Sequence, residues 1–555
     1  MPNSHCTVLT LLELARREFA PRPLSEAERD LFTTAETGKV MLAPRGDKTE
    51  GDAANVPARQ DDRVIHAECL VWLCTNRGAS LMVTYGGIRM DGVRIKGDLN
   101  LENAQIAFPF SGTKCAFEGR ILLSNARMRS LSLLNCSVNG LEGGGVNIEG
   151  NVLLRGSTAK GGVNFAAATI GGRLDCGQAR FTVPNGYALT ATNVTINGSV
   201  FLTEGCRANG GVNLDSAKIG GDLDCSDFTA WGHVNLAATR IGGDLVCYRA
   251  RFTDLRDEAL RVDRAKIEGS VFLSDGFKAV GWVRFWGADI AVAFFWSGIR
   301  LNHKFGLDLR SAKVGTLWDN KDSWPRKKRL LLDGFRYDRI HHSAPTDATS
   351  RIEWLHLQPE DRFLPQPYEQ LAAVFRDLGQ EANTRRVLFR RSQENARSTH
   401  FLDHSWWWYN FFGRAIGYGY VPSRPLLISL LMILFGSILF GLGYSRDLIS
   451  PTNEIGYVKD AAGRPLLKDS KHLFSENYPN FNPIAYSLES FAPLVKLDMS
   501  AHWRPDAHRS TQLNFKNFHP VISGQMLQWY LWFHIMAGWI LTSWWVGLLT
   551  GIVKS

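Results

Sequence analysis

The sequence is poor in features that mark secreted and nucleic-acid-binding proteins. Nine cysteines scattered over 555 residues are too few for a disulfide scaffold. The first twenty residues lack the basic start and apolar centre of a signal peptide, which favours a reducing compartment. The net charge of +9 is modest for this length. We therefore expect no nucleic-acid partner, because such proteins concentrate a basic excess on one face.

Motifs for nucleotide and hydrolytic chemistry are also missing. A dinucleotide site needs G-x-G-x-x-G between a strand and a helix, and a phosphate loop needs G-x-x-x-x-G-K-[ST]. Hydrolases carry patterns such as G-x-S-x-G or H-E-x-x-H. None of these occurs in a fitting context; the sequence GYG at residues 417–419 lacks both a third glycine and a preceding strand. We expect no catalytic residues, no cofactor and no metal.

A repeat occupies residues 86–320. Its pattern is Ile/Val-x-Gly-x-Leu/Val, and successive isoleucines from Ile148 to Ile267 are 22, 26, 23, 22 and 26 residues apart. A period of about 20–30 residues with two-residue alternation predicts a β-solenoid. Strands of stacked coils pair at about 4.8 Å, so about ten coils would form a rod roughly 50 Å long. We expect the glycines to lie at the corners of each coil.

The apolar positions of the repeat are predicted to stack inside the rod. Cysteine two residues after the leucine is replaced in sister coils by Leu101, Leu154, Leu202 and Leu273, which favours a buried cysteine column over a redox or metal site. The predicted core residues are Ile170, Leu174, Cys176, Ile219, Leu223, Cys225, Ile241, Leu245 and Cys247.

The rest of the chain divides by composition. The expected segments are a helical N-terminal cap (1–85), the solenoid (86–320), a basic linker (321–363), a helical hairpin broken at Gly379 with an aromatic juxtamembrane segment (364–424), a first transmembrane helix (425–444), an extracytoplasmic loop (445–528) containing a short amphipathic or re-entrant segment (482–497), and a second transmembrane helix (529–553). The fold class is thus mainly β, with helices at both ends. Cys69 and Cys74 fall on a helix of the cap, where we expect core packing. The run Arg326 to Arg329 is predicted to be a solvated junction rather than a phosphate site.

Two apolar stretches are long enough to cross a bilayer. Residues 425–444 carry no charge over 20 positions, which at helical rise span about 30 Å. Residues 406–420 are rich in aromatics of the kind found at the headgroup level. The 49 residues from Arg376 to Arg424 hold eight arginines against four acids. This bias predicts that the solenoid lies in the cytoplasm.

The segment between the spans leaves two interpretations open. Two spans with a pore loop between them are typical of channels. In this interpretation Glu489 could face a cation path, and His534 is a polar residue inside a span. An amphipathic helix on the membrane surface, and a helix–helix hydrogen bond from His534, are the structural alternatives.

Five segments resemble a family of bacterial membrane proteins. They are LDGFRYDRI from Leu332, QPYEQLA from Gln366, GYGYVPSRPL from Gly417, YSLESFAPLVKL from Tyr486 and GWILTSWWVGLLTGIVK from Gly538, behind coils of the form IGG-x-L-x-C. The family has stacked coils similar to pentapeptide-repeat proteins and is often labelled membrane-associated oxidoreductase. The resemblance covers most of the chain and implies a solenoid architecture and a multi-pass location in the bacterial inner membrane.

These observations favour a non-catalytic, membrane-anchored solenoid that presents a rod to an unknown protein partner. Its other expected contacts are the lipid bilayer and further copies of itself. An oligomeric, channel-like or signalling protein with the solenoid as sensor is the alternative. A membrane-associated oxidoreductase is the third hypothesis.

Overall fold

The computed structural model describes residues 9–42, 63–361, 363–398, 413, 417–421, 423–460, 463–468, 471–512 and 521–549. The chain forms two compact units, Met1–Val387 and Leu388–Ser555.

The first unit is a parallel β-solenoid of about 11 turns. Each turn runs first through one sheet, here sheet A, and then through a second, sheet B. Within the described residues, the strands of sheet A are Met41–Leu42, Ile88–Asp91, Gln105–Thr113, Arg127–Leu134, Asn147–Ile148, Val152–Leu153, Thr169–Ile170, Leu174–Asp175, Thr195–Ile196, Val200–Phe201, Lys218–Ile219, Leu223–Asp224, Arg240–Ile241, Leu245–Val246, Lys266–Ile267, Val271–Ser274, Asp289–Ser297, Lys313–Asp319 and Arg336–Ile340. Those of sheet B are Val64–His66, Arg94–Lys96, Leu99–Asn100, Ala116–Phe117, Ile121–Leu122, Ser137–Val138, Leu141–Glu142, Thr158–Ala159, Val163–Asn164, Arg180–Thr190, Arg207–Asn213, Thr229–Trp231, Val234–Asn235, Arg251–Arg261, Lys278–Arg284, Gly306–Asp308 and Leu330–Leu331.

The register of the sheets stacks like residues on like. Ile196 pairs with Ile219, and Ile219 with Ile241. These isoleucines are at most 3% exposed, so they form one buried column. Removing such a side chain from water stabilises the fold by about 1.5–3 kcal/mol. The repeat period seen in the sequence is therefore the length of one turn around this column.

Four helices cover the N-terminal end of the solenoid: α1 (Leu11–Glu18), α2 (Glu26–Thr37), α3 (Ala67–Thr75) and α4 (Arg77–Met82). Glu28 closes a capping box with Ser25 at the start of α2. Its buried carboxylate also accepts from Arg22 at 2.9–3.0 Å and from the backbone N–H of His66 at 3.2 Å. The thiol of Cys69 lies 3.3 Å from the same carboxylate. These bonds link α2 to the segment that begins α3. The helices cover an edge of the solenoid that would otherwise be free to pair with strands of other molecules.

The C-terminal end of the solenoid lies beyond the expected boundary at residue 320. Strands Leu330–Leu331 and Arg336–Ile340 continue sheets B and A in parallel register. The end is followed by α5 (Ala348–Leu355), α6 (Gln366–Asp377) and α7 (Glu381–Ser398), and Gly379 between α6 and α7 has φ +70°. Gln366 and Gln370 of α6 donate to backbone carbonyls of the last strand region, so α6 covers this edge.

The second unit contains α8 (Ser423–Ser445), α9 (Pro483–Phe491), α10 (Met499–His502) and α11 (Gly524–Leu549). Short antiparallel strand pairs join Ile449–Pro451 to Trp503–Pro505, Leu467–Lys468 to Lys471–His472, and Ser510–Gln512 to Val521–Ser523. Single 3-10 turns lie at Lys321–Ser323 in the first unit and at Gly417–Gly419 and Glu454–Gly456 in the second. An aromatic core around Phe440, Tyr486 and Trp503 orders the segment between the long helices.

Among the described residues, one helix, α8, is long and apolar enough by length and composition to cross a membrane. The second expected span, residues 529–553, lies within α11 up to Leu549, and its last residues are outside the described part of the chain. Helix α11 is long enough, but its two Gln, one His and five Trp residues lower its mean hydropathy. One span is therefore supported, and the second stays a prediction. The aromatic segment 406–412 lies outside the described residues.

Candidate interaction surface and membrane-facing helices

The inward positions of the repeat hold packing residues. All nine core residues named from the sequence are at most 3% exposed: Ile170, Leu174, Cys176, Ile219, Leu223, Cys225, Ile241, Leu245 and Cys247. Cys225 and Cys247 lie on neighbouring rungs, because Asp224 pairs with Val246. The Cys247 thiol and burial together raise the pKa of Cys225 well above its usual value. Since the thiolate is the form that reacts and binds metals, the raised pKa disfavours reaction and metal binding at Cys225.

The other thiols of the described residues are buried as well, and of these only Cys115 has a lowered pKa, through its hydrogen bond with Cys136. All eight described cysteines are unpaired and buried, and burial raises the pKa of Cys74 and of Cys206 to about 12. In the same part of the chain, no group of three or more His, Cys, Asp or Glu side chains is placed to hold a metal ion.

The Gly-Gly pairs make room for the preceding rung. A Cβ on Gly243 would overlap the carboxylate of Asp222, which accepts a hydrogen bond from the N–H of Asp244 at 2.8 Å. Asp244 in turn accepts from the N–H of Ser270 at 2.7 Å. A Cβ on Gly171 would overlap the backbone carbonyl of Glu149. These glycines therefore permit close approach of successive rungs.

These glycines lie at bends of the coil, as expected: Gly171 is in the bend between Thr169–Ile170 and Leu174–Asp175, and Gly243 in the bend between Arg240–Ile241 and Leu245–Val246. Neither Gly171 nor Gly243 has a left-handed φ. The left-handed corner positions belong mostly to other residues, such as Ser216 at +58° and Ala238 at +52°. Asn and Asp side chains support the corners, as when Asn213 accepts from the N–H of Asp215 at 3.1 Å. This local turn offsets part of the cost of a left-handed residue.

Two insertions interrupt the repeat at the same corner of sheet B. In the strand Arg180–Thr190, Thr182 pairs with Asn209 and Tyr187 with Gly211. A step of five residues along this strand therefore lies opposite a step of two along its neighbour. In the strand Arg251–Arg261, the register shifts in the same way between Thr253 and Glu258. Each insertion adds four residues in all, because the register shifts once more between Tyr187 and Leu189 and between Glu258 and Leu260. We call these two insertions, with the turn Trp231–His233 that lies between them along the stack, the insertion corner.

Glycines on neighbouring rungs seat both insertions. A Cβ on Gly211 would lie 2.6 Å from the ring of Tyr187, and one on Gly210 would overlap the carbonyl of Val183. A Cβ on Gly281 would lie 2.8 Å from the backbone of Asp257. Each insertion therefore lies over the rung that follows it. The turn Trp231–His233 lies on a rung between these two covered rungs and is not covered by either insertion.

Charged groups hold the second insertion. Asp257 pairs with Arg329 at 3.3 Å, and the Arg329 guanidinium lies 5.3 Å from the ring centre of Trp282. Glu258 pairs with Arg284. The basic run at residues 326–329 is therefore partly engaged by its own chain: Lys327 also pairs with Glu360 at 2.6 Å.

The insertion corner exposes large aromatic side chains on a fixed support. Trp231 is 48% exposed and Tyr187 is 43% exposed. Beside Trp231, the ring of His233 donates through Nδ1 to the carbonyl of Glu258 at 2.8 Å, which ties the open turn to the second insertion. Exposed Trp and Tyr on a rigid backbone are the residues that dominate protein interfaces. No motif in the sequence marks this site, although the two 26-residue intervals of the repeat coincide with both insertions.

In the second unit, α8, α9 and α11 pack together around a polar contact. His534 of α11 is fully buried. Its Nε2 lies 3.1 Å from Oγ and 3.2 Å from the carbonyl of Ser487 in α9, while its Nδ1 lies 3.3 Å from the hydroxyl of Tyr530. The Ser487 hydroxyl donates to the carbonyl of Ile433 in α8 at 2.8 Å. His534 thus belongs to a hydrogen-bonded junction of three helices.

Glu489 lies on α9 but turns to a neighbouring loop. Its carboxylate accepts from the N–H groups of Met499 and Ser500 at 2.7 and 3.1 Å, and from the Ser500 hydroxyl at 2.9 Å. These are the first residues of α10, so Glu489 caps that short helix. The structure does not bring Glu489 and His534 into one hydrogen-bonded group.

The outer faces of the two long helices are apolar. The exposed large side chains of α8 are Leu426, Leu427, Leu430, Leu431, Leu434, Phe435, Ile438 and Leu442. Those of α11 are Met526, Trp529, Trp532, Phe533, Met536, Trp539, Ile540 and Val546. Apolar surface of this extent is unusual on a protein surrounded by water.

Compared with protein-family models, curated proteins and solved structures, the chain matches none.

Proposed function

We propose that this protein is a membrane-anchored, non-catalytic scaffold whose solenoid binds a protein partner at the insertion corner. The observation that carries the proposal is the pair of insertions at one corner, seated on glycines, with Trp231 and Tyr187 exposed between and beside them. In repeat proteins, insertions often gather on the binding face.

The apolar faces of α8 and α11 support a two-helix anchor. At helical rise, α8 is about 35 Å long and α11 about 39 Å, against a hydrocarbon core of about 30 Å. The large exposed residues of α11 recur along one side of the helix, and many are Trp or Phe. Trp adds apolar area and suits the membrane interface, although it scores low on hydropathy scales. The junction through Ser487 and His534 gives the two helices a shared polar contact of the kind that joins helices in lipid.

The charge bias before α8 supports a cytoplasmic rod. Arginines outnumber acids two to one between residues 376 and 424, and positive flanks stay on the cytoplasmic side. The resemblance described above adds the bacterial inner membrane as the location. In this arrangement the segment between α8 and α11 faces the outside.

Copurification from native membranes tests the scaffold. The full-length protein and a Tyr187→Ala/Trp231→Ala variant would be cross-linked in membranes, purified and analysed by mass spectrometry. Tyr85→Ala is the matched control, because Tyr85 is a 92% exposed aromatic residue before the first strands of the repeat. We expect one protein that is recovered with the wild type and with Tyr85→Ala but reduced at least tenfold with the double variant. Equal recovery with all three would contradict binding at this corner.

A pore is the second candidate, because α9 packs between two long helices as a pore helix does. It would require several copies of the chain around a path. Conductance across planar bilayers, compared between wild type and Glu489→Gln, tests it. A flat trace from inserted protein would exclude the pore, and a Glu489-dependent cation current would favour it over the scaffold.

A further inference from the structure

Sheet A carries a column of like charges on its outer side. Lys218 pairs in register with Arg240, and Arg240 with Lys266, so three cations occupy successive rungs at about 4.8 Å. All three side chains are exposed. Like charges on directly paired strand positions are destabilising. The column therefore costs stability in the free protein.

Counter-charges are sparse along this column. Within the described residues, neither Lys218 nor Arg240 has an ion-pair partner, and only Lys266 pairs, with Glu268 at 2.7 Å. Elsewhere on the rod, some exposed arginines meet an acid on an adjacent rung, as Arg249 meets Asp227 at 2.8 Å, while other like-charge pairs, such as Arg251 with Lys278 and Lys313 with Arg336, extend over two rungs. A longer run of like charges is typical of a site where function outweighs stability.

A shallow groove of about 340 Å³ runs beside the three cations. Gly220 and Gly242 line it, and Thr195 and Asn197 lie on the rung before Lys218. Both glycines are exposed, so a bound main chain can reach the solenoid backbone at these positions. The groove thus combines a flat floor with a row of cations along one side.

The column ends after three rungs. Thr195 precedes Lys218, and Asp289 follows Lys266 on the next rung. Glu268 adds a second carboxylate at that end. A long polyanion such as a nucleic acid would run onto these carboxylates and be repelled. A short acidic stretch centred on Lys218 and Arg240 would end before these carboxylates.

We infer that the groove along Lys218, Arg240 and Lys266 binds a short, extended acidic segment of a partner protein. The inference deepens the proposed scaffold function, on which it rests, by adding a second surface on a different sheet from the insertion corner. Carboxylates of the segment pair with the three cations, and its main chain lies over Gly220 and Gly242. Arg240 is the central contact, since its planar guanidinium can hold a carboxylate through two hydrogen bonds.

Fluorescence anisotropy with a labelled hexaglutamate peptide tests the inference on the full-length protein in phosphatidylcholine nanodiscs. We expect saturable binding that weakens as salt rises, and no binding of labelled hexaglutamine. Arg240→Glu should weaken binding at least tenfold, while Arg240→Lys should retain most of it. Arg251→Glu is the matched control, because Arg251 is an exposed cation on sheet B that is paired in register with Lys278. It should change the affinity by less than twofold.

Several outcomes would overturn the inference. Equal weakening by Arg240→Glu and Arg251→Glu would show a response to net charge only. Arg240-dependent binding of phosphatidylglycerol vesicles or a single-stranded oligonucleotide, without binding of hexaglutamate, would assign the groove to another occupant. Arg240 lies outside the insertion corner, so the two experiments are independent. If hexaglutamate does not bind but a partner copurifies in a Trp231-dependent way, the groove is refuted and the scaffold is not. If hexaglutamate binds through Arg240 but no partner copurifies in a Trp231-dependent way, the scaffold is refuted and the groove is not.

Discussion

Replacing Gly171 by alanine should destabilise the solenoid locally. A Cβ at this position would lie 2.9 Å from the carbonyl carbon of Glu149 and closer still to its oxygen. Both clashing atoms belong to the backbone of the previous rung, so no rotation of a side chain relieves the overlap. The rungs must instead move apart, which strains the bond from the N–H of Gly171 to the carbonyl of Ile148, now 2.7 Å long.

The cost follows from two contributions. Overpacking of a tight site costs about 1–3 kcal/mol, and a weakened backbone hydrogen bond costs about 0.5–1.5 kcal/mol. Together they give about 1.5–4.5 kcal/mol. Because 1.4 kcal/mol is a factor of ten in an equilibrium constant, hydrogen exchange of amides on the two rungs should accelerate about 10- to 1500-fold.

Gly144→Ala is the control for this prediction. A Cβ on Gly144 would lie 3.9 Å from the carbonyl oxygen of Ala166, which is an ordinary van der Waals distance, and the φ of Gly144 is not left-handed. Alanine should fit there and slightly stabilise the fold, because it restricts the unfolded chain. Hydrogen exchange measured by mass spectrometry on peptides covering residues 145–176 compares the variants. Equal protection in Gly171→Ala and the wild type would refute the close-approach role of the glycines.

Three further perturbations test other parts of the structure. Burial would raise the pKa of Glu28, but hydrogen bonds from Arg22, from the N–H of Ser25 and from His66 outweigh it and hold the pKa at about 2 against an ordinary 4.5. The carboxylate's stabilising contribution, about 3 kcal/mol, should be complete above pH 4.5 and lost as pH falls towards 2. Glu28→Gln should remove this pH dependence from hydrogen exchange of the amides in α2 and α3. An unchanged pH profile in the variant would contradict the prediction. Arg351→Met should leave the buried Asp319 carboxylate without the bidentate partner it holds at 2.6 and 2.9 Å, and should increase proteolysis of α5 by an amount equivalent to about 3–5 kcal/mol; unchanged digestion would be the contrary result. Ser487→Ala should lower the thermal midpoint in detergent only slightly, since a hydrogen bond between membrane helices contributes about 0.6 kcal/mol, and loss of folded protein would mean that the three-helix junction has a larger role.

The sequence was sufficient for the solenoid because its signal is repeated. Interchange of Cys225 with leucine in sister coils and the spacing of the isoleucines both reflect inward columns, and those columns are what the structure contains. The role of the glycines was not readable, because overlap with the previous rung depends on register and not on the local pattern. The end of the repeat was placed too early, since the strand Arg336–Ile340 pairs in register but lacks the Ile-x-Gly-x-Leu pattern.

The candidate sites depend on contacts between distant residues and were harder to foresee. Glu489 suggested a cation path from its place between two apolar stretches, yet its partners Met499 and Ser500 begin α10, about ten residues further along the chain. The insertion corner was marked by the two 26-residue intervals, but only the stacking shows that both insertions lie at one corner of sheet B.

The central claim is that a side face of the rod, held at a membrane, carries the function. A photo-crosslinking residue placed in turn at Trp231, Asn235, Arg240 and Val246 samples the two strand positions of sheet B and the two of sheet A within one turn of the solenoid. In intact membranes, we predict a reproducible adduct with a single protein at Trp231 and no adduct at Asn235 or Val246. At Arg240, any adduct should contain an acidic segment of the cross-linked protein. Adducts at none of the four positions, or equally at all of them, in fully folded, membrane-inserted protein would contradict the account.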